Sequence, residues 1–147
     1  MTVLSAKHVL APLDFSDPSM KSLDAAVELA KSYEGKVLIA YVAEPAPFSP
    51  ELVVSADGYE KKVTEKAQKR LEEICQKHIA DGVETSYQIC FGNPYDEIIG
   101  LANSKQVDLI VMATHGHSGL RHLLIGSTTE KVVRAATCPV LTMKFSD

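Results

Sequence analysis

Tryptophan is absent from the 147-residue chain, aromatic residues make up only 6% of it, and three cysteines, Cys75, Cys90 and Cys138, lack any C-x-x-C spacing. An odd, scattered cysteine set argues against a disulfide framework and a cysteine-based zinc site, and reads as three small apolar residues kept reduced. No apolar run approaches the ~20 residues that a membrane-spanning helix needs, and Met1 to His8 lacks the charged-then-apolar layout of a secretory signal. A cytoplasmic location without membrane attachment is expected. An excess of positive charge is also missing. Fifteen Lys and Arg stand against 19 Asp and Glu, a net charge of −4. That balance discourages nucleic acid or an acidic membrane as partner, while leaving room for a local phosphate site.

What is present is the balance of an ordinary globular protein, 46% hydrophobic and 23% charged, in a length suited to a single domain over residues 1–147. Apolar runs alternate with amphipathic stretches. Val9 to Leu13, Val37 to Val42, Glu84 to Cys90, Leu109 to Ala113 and Pro139 to Lys144 read as strands. Between them lies first a helix with the stripe Leu23, Ala26, Val27, Ala30 and Tyr33, with Asp14, Asp17 and Ser19 as candidate caps and Gly35 as its stop. A long helix from about Gly58 follows, with Val63, Ala67, Leu71, Ile74 and His78 on one face. A short helix runs through Ile98, Ile99 and Ala102, and a last one spans about Ser127 to Ala136. Pro45, Pro47 and Pro50 forbid regular structure in the longest loop.

Strict β-α alternation specifies parallel strands with right-handed crossovers, hence an α/β fold with helices on both faces of the sheet. Strands one, two and four are continuous apolar runs, as strands buried on both faces must be. Strand three alternates and strand five is mixed, which assigns them to the edges. The doubly wound five-stranded order 3-2-1-4-5 satisfies this. Its winding reverses between strands one and four, so a ligand is expected outside their carboxyl ends, at the loops after Leu13 and after Ala113.

The second of these loops reads Ala113-Thr114-His115-Gly116 and ends at Gly126-Ser127-Thr128-Thr129-Glu130. Gly116 and Gly126 remove Cβ atoms where a polyphosphate would approach backbone, and Ser127, Thr128 and Thr129 place hydroxyls and N–H groups at a helix N-terminus. The segment lacks the Lys-Ser/Thr pair of a Walker loop and the glycine spacing of a dinucleotide fingerprint. Its bland reading is a glycine-rich turn in which Ser127 and Glu130 form a capping box. In the first loop, Asp14 sits where a carboxylate can accept ribose hydroxyls or hold a divalent cation through water, or can simply cap the turn.

The opening V-L-A-P-L-D-F-S, Gly92-x-Pro94-x-x-x-Ile98, the stretch A-T-H-G-H-S-G-L-x-x-L-L-I-G-S and the closing C-P-V-L together resemble the UspA-type universal stress proteins over nearly the full length. The nucleotide-binding members of that family resemble G-x2-G-x9-G-[S/T]; here the pattern runs Ala113-x2-Gly116-x9-Gly126-Ser127, with alanine in place of the first glycine. The resemblance implies an adenine nucleotide alpha hydrolase-like fold and an adenine nucleotide ligand, ATP or AMP with Mg. It implies that Pro12 and Asp14 border adenine and ribose, that Val42 offers backbone hydrogen bonds to adenine, and that Gly116, Gly126, Ser127 and Thr128 hold phosphates. It further implies a homodimer through Val140 to Lys144, which would cover the edge of strand five.

Hydrolysis needs a positioned water, charge neutralisation and usually a metal. The sequence offers Asp14, Arg121 as the cation and His115 as an acid/base without an identifiable partner; Arg121 and His115 are better read as phosphate contacts. His115, His117 and His122 lack the H-x3-H spacing of a helical metal site, and His8 and His78 read as structural. The expectation is a nucleotide-responsive regulatory protein with at most slow ATP hydrolysis. Ligand binding would order residues 114–125 and the loop Pro45 to Asp57 and change a surface read by a partner protein. The alternatives are a dimeric scaffold of the same family that does not bind nucleotide, and a nucleotide hydrolase for which no catalytic set is evident.

Overall fold

The structure, a computed structural model, describes residues 4–44, 56–116 and 125–145. The proline-rich loop and the segment holding His117, Arg121 and His122 lie outside the described residues. The elements run β1 (His8–Leu13), α1 (Asp17–Ser32), β2 (Lys36–Ala43), α2 (Ala56–Ala80), β3 (Glu84–Phe91), α3 (Pro94–Ser104), β4 (Leu109–Ala113), α4 (Ser127–Ala135) and β5 (Val140–Met143). All paired strands are parallel, in the order β3-β2-β1-β4-β5.

The pleat sends alternate side chains of the central strands to opposite faces. Val9, Ala11 and Leu13 of β1 and Leu109 and Val111 of β4 pack with Leu23, Ala26 and Ala30 of α1 and Ala67 and Leu71 of α2. Leu10, Ile110 and Met112 point the other way, against Ile98, Leu101 and Ala102 of α3 and Val132 of α4. β1 and β4 therefore consist almost wholly of buried residues. At the edge, β3 exposes Glu84, Ser86 and Gln88 while Thr85 and Cys90 are buried, as its alternation requires.

The ends of α1 differ from expectation in an instructive way. Its N-cap is Ser16, neither Asp17 nor Ser19; the Ser16 hydroxyl accepts from the Ser19 N–H at 3.3 Å. Ser19 is used differently, its hydroxyl donating to the Ser16 carbonyl at 3.0 Å. Tyr33 is the exposed C-cap and not part of the buried stripe. Glu34, with φ 54°, takes the left-handed position, and the N–H groups of Glu34 and Gly35 return to Lys31 and Ala30 as in a Schellman stop. Gly35 has a different duty, because a Cβ there would collide with the Ala6 carbonyl.

His78, on α2, is buried, with Nε2 3.9 Å from an Asp24 carboxylate oxygen on α1. Burial lowers its pKa, more than Asp24 raises it, and His8 is lowered in the same direction, also chiefly by burial. Protonation thus favours the unfolded chain. Stability is expected to hold at neutral pH and to fall as pH drops below the unfolded histidine value of about 6.5. Urea unfolding at pH 7.5 and 5.5 checks this: the wild type should lose more stability across that interval than His78→Phe, and equal losses would remove His78 as the cause.

Candidate functional site

The cleft begins with a proline in a central strand. A residue in a parallel strand directs its N–H and C=O toward the same neighbour. The His8 carbonyl accepts from Asp108, just before β4, while the Lys7 carbonyl accepts from Lys36 in β2. Even-numbered β1 residues therefore face β4, and the missing N–H of Pro12 falls on that side. The β1–β4 ladder correspondingly pairs only Val9 with Leu109 and Leu10 with Ile110, whereas β1 and β2 stay paired through Leu13 and Tyr41. Beyond that point β1 and β4 have no ladder between them, and a cleft of about 490 Å³ opens at their carboxyl ends.

Its walls bring together Pro12, Asp14, Val42, Ala113, His115, Gly116, Gly126, Ser127 and Thr128, nine residues singled out from sequence. Arg121 lies outside the described residues. Asp14 is held by its own turn: Oδ1 accepts from the Ser16 N–H at 2.9 Å and the Ser16 hydroxyl at 2.5 Å, and the Asp14 N–H donates to Ser19 Oγ at 3.3 Å. The carboxylate thus both caps the turn and faces the cleft. Its second oxygen occupies the space that a Cβ on Gly116 would need. Phe15, next in the chain, carries a φ of 64°, a strained value for an aromatic residue. It is clamped between the Tyr41 ring, 4.9 Å away, and the Arg70 guanidinium, 4.0 Å above its face.

On the opposite wall the capping box does not form. Gly126 is the N-cap of α4 and supplies no side-chain bond, and Glu130 instead pairs with Arg134 at 3.1 Å. The helix start is pinned to β4 by two bonds, from the Gly126 N–H to the Thr114 carbonyl at 2.7 Å and from the Thr129 hydroxyl to the Ala113 carbonyl at 2.9 Å. A Cβ on Gly126 would come within 2.8 Å of that Thr114 oxygen. Each glycine is therefore required first by protein backbone or side chain. Thr114 Oγ1 lies 3.2 Å from His115 Nδ1, leaving Nε2 buried with no partner among the described residues.

Thr129, expected at the helix start, also lines the cleft, whereas Tyr41, Tyr59, Val63, Ile98 and Met112 were not foreseen from sequence as lining residues. The strand-end members had a signal, since any residue at a carboxyl end of β2 or β4 borders the crevice. Tyr59 and Val63 had none, because only the packing of α2 carries them to the mouth. Burial and the neighbouring Tyr59 push the Tyr41 hydroxyl pKa up, with Arg70 opposing and Asp14 adding. The acidic side chains among the described lining residues are Asp14 and Glu44, and none of those residues is Lys or Arg. No three His, Cys, Asp or Glu side chains among the described residues converge on a metal position.

A doubly wound parallel sheet, split at its switch point and faced there by a glycine-capped helix start, defines an α/β protein with an open cleft at its strand ends, the place where ligands bind in sheets of this kind. The sequence model of the Universal stress protein family matches residues 5–144, and the chain belongs to that family. Universal stress protein YxiE of Bacillus subtilis is 34% identical over 146 residues, covering 92% of this chain and 97% of the relative. The solved structure of MJ0577 of Methanocaldococcus jannaschii superposes with a TM-score of 0.87 at 27% identity, over 97% of this chain and 98% of that one. A universal stress protein in complex with cAMP shares the fold, with a TM-score of 0.71 at 24% identity over 95% of this chain and 98% of its own.

Proposed function

We propose that this chain is an ATP-binding, nucleotide-responsive regulatory protein with at most slow ATP hydrolysis. The observation that carries the reading is the start of α4, which is capped only by Gly126 and opens onto the cleft between Ser127 and Thr128. Uncapped N–H groups and the helix dipole favour an anion there. Asp14 lines the same cleft and is the carboxylate that would accept ribose hydroxyls, and Val42, Ile98 and Met112 would provide an apolar bed for adenine beside the Val42 backbone. The cAMP complex of a protein with this fold is in keeping with an adenine ligand. Mg fits as a companion of the phosphates: it retains waters, binds few protein carboxylates, and would be held by Asp14 through water. His115 and the Thr114 hydroxyl form no base–nucleophile–orienter set, which is why a regulatory role is favoured over catalysis.

Nucleotide released by heat from the purified protein, identified by mass spectrometry, together with titration calorimetry using ATP, AMP and cAMP, tests the reading. Adenine nucleotide in the supernatant and micromolar or tighter ATP binding are expected; neither released nucleotide nor heat of binding would leave the scaffold alternative. The homodimer is proposed on β5, an edge strand where Leu141 is 42% exposed. Light scattering at micromolar concentration should give twice the chain mass, and Leu141→Lys should shift it to the monomer.

A further inference from the structure

On α2, Tyr59 and Val63 line the cleft mouth and the Arg70 guanidinium lies over the Phe15 ring, next to Asp14. At 100° per residue these three positions share one side of the helix. Lys62, Lys66 and Lys69 fall on the flank immediately beside them, and all three are exposed. None is ion-paired within 4.0 Å among the described residues. Lys62, Lys66 and Arg70 also stand at successive i, i+4 positions, where like charges destabilise a helix by a few tenths of a kcal/mol per pair. From Tyr59 to Arg70 the helix carries five Lys and Arg against two Glu, in a chain whose net charge is −4. This local excess runs against both the helix and the overall charge, and it borders a cleft whose described lining offers carboxylates and no Lys or Arg.

We propose that the Lys62–Lys66–Lys69 row is an electrostatic guide that speeds entry of polyphosphorylated ligands, selecting a nucleoside triphosphate over a monophosphate during association. The inference rests on the nucleotide reading of the cleft and names the ligand class that the cleft meets first. With a rise of ~1.5 Å per residue, the row lies within ~9 Å of Val63 along the helix axis. That is comparable to the Debye length of ~8 Å at physiological salt, so the row's field reaches the mouth. Fixed charges at a cleft mouth raise association rates in proportion to ligand charge, and the effect disappears as salt is added. Because the lysines stand outside the cleft lining, they act on arrival and leave dissociation largely unaltered.

The test is stopped-flow binding of the riboside tri- and monophosphates of 2-aminopurine, a fluorescent adenine isomer, with ATP binding to each protein established by calorimetry. The Lys62→Gln/Lys66→Gln/Lys69→Gln chain is compared with Lys7→Gln/Lys36→Gln/Lys105→Gln, which removes the same charge from exposed positions near the opposite, amino-terminal ends of the strands. At 20 mM salt the first triple variant should associate with the triphosphate about tenfold more slowly than wild type. The slowing should be about threefold for the monophosphate and should vanish by 500 mM salt, with dissociation unchanged within twofold. The second triple variant should stay within twofold of wild type throughout. Unchanged association in the first variant, or equal slowing in both, overturns the guide and leaves the nucleotide reading standing. Absence of ATP binding by the wild type overturns both.

Discussion

Thr128→Glu is expected to lose ATP affinity by about a hundredfold or more while unfolding no more easily than the parent. Thr128 is the second residue of α4, and it lines the cleft where the helix start is uncapped. A carboxylate at this position complements the helix dipole and should add a few tenths of a kcal/mol to the stability of the empty protein. For a bound triphosphate the same carboxylate is a like charge a few ångströms away. At an effective dielectric of 20 that repulsion is on the order of 4 kcal/mol per charge pair, more than the ~2.7 kcal/mol of a hundredfold loss. The opposite signs make the test selective: calorimetry reads the loss, and urea unfolding of the same preparation shows that the fold is intact. ATP binding equal to wild type would remove the phosphates from the start of α4. Gly126→Val is expected to abolish binding too, but its Cβ would come within 2.8 Å of the Thr114 carbonyl, so it disturbs the β4–α4 connection as well.

Gly35→Ala is expected to destabilise the fold by about 3 kcal/mol, a large share of the 5–15 kcal/mol typical of a domain. The added methyl would lie 2.7 Å from the Lys7 Cα and 2.8 Å from the Lys7 carbonyl oxygen, besides striking the Ala6 carbonyl. All of these contacts are backbone, which can yield only by moving β1 away from the end of α1. Gly100 is the contrasting case: it sits within α3, a Cβ there meets nothing within 4 Å, and Gly100→Ala should stabilise by ~0.5–1 kcal/mol. Paired denaturant titrations decide. A Gly35→Ala chain as stable as wild type would mean that the contact of the α1–β2 turn with the chain before β1 is not tight.

The strand order was legible because burial on two faces leaves a compositional mark: β1 after His8, β2 after Lys36 and all of β4 are runs without a charged residue, and β3 alternates. The switch-point crevice follows from that order, so Asp14 and Ala113 could be placed at it from pattern alone, while Val42 came from the family resemblance. The capping box was a false signal. Ser127 and Glu130 have the right spacing, but the bonds of Gly126 and Thr129 to β4 fix the helix start one residue earlier, and Glu130 turns to Arg134. Gly35 was legible as a stop for α1, yet the left-handed residue is Glu34, and the need for glycine comes from a backbone more than twenty residues earlier in the chain. Such a contact leaves no local trace.

Local sequence by itself determined the α/β class, the central and edge strands and the two loops that meet at the crevice, because periodicity and turn chemistry are properties of neighbouring residues. Packing decided the rest. It placed the missing N–H of Pro12 on the side where β1 and β4 part, put the Asp14 carboxylate in the space left by Gly116, and carried Tyr59 and Val63 of α2 to the cleft mouth, with the lysine row on the flank beside them. These are distances between segments far apart in the chain, and only the tertiary fold sets them.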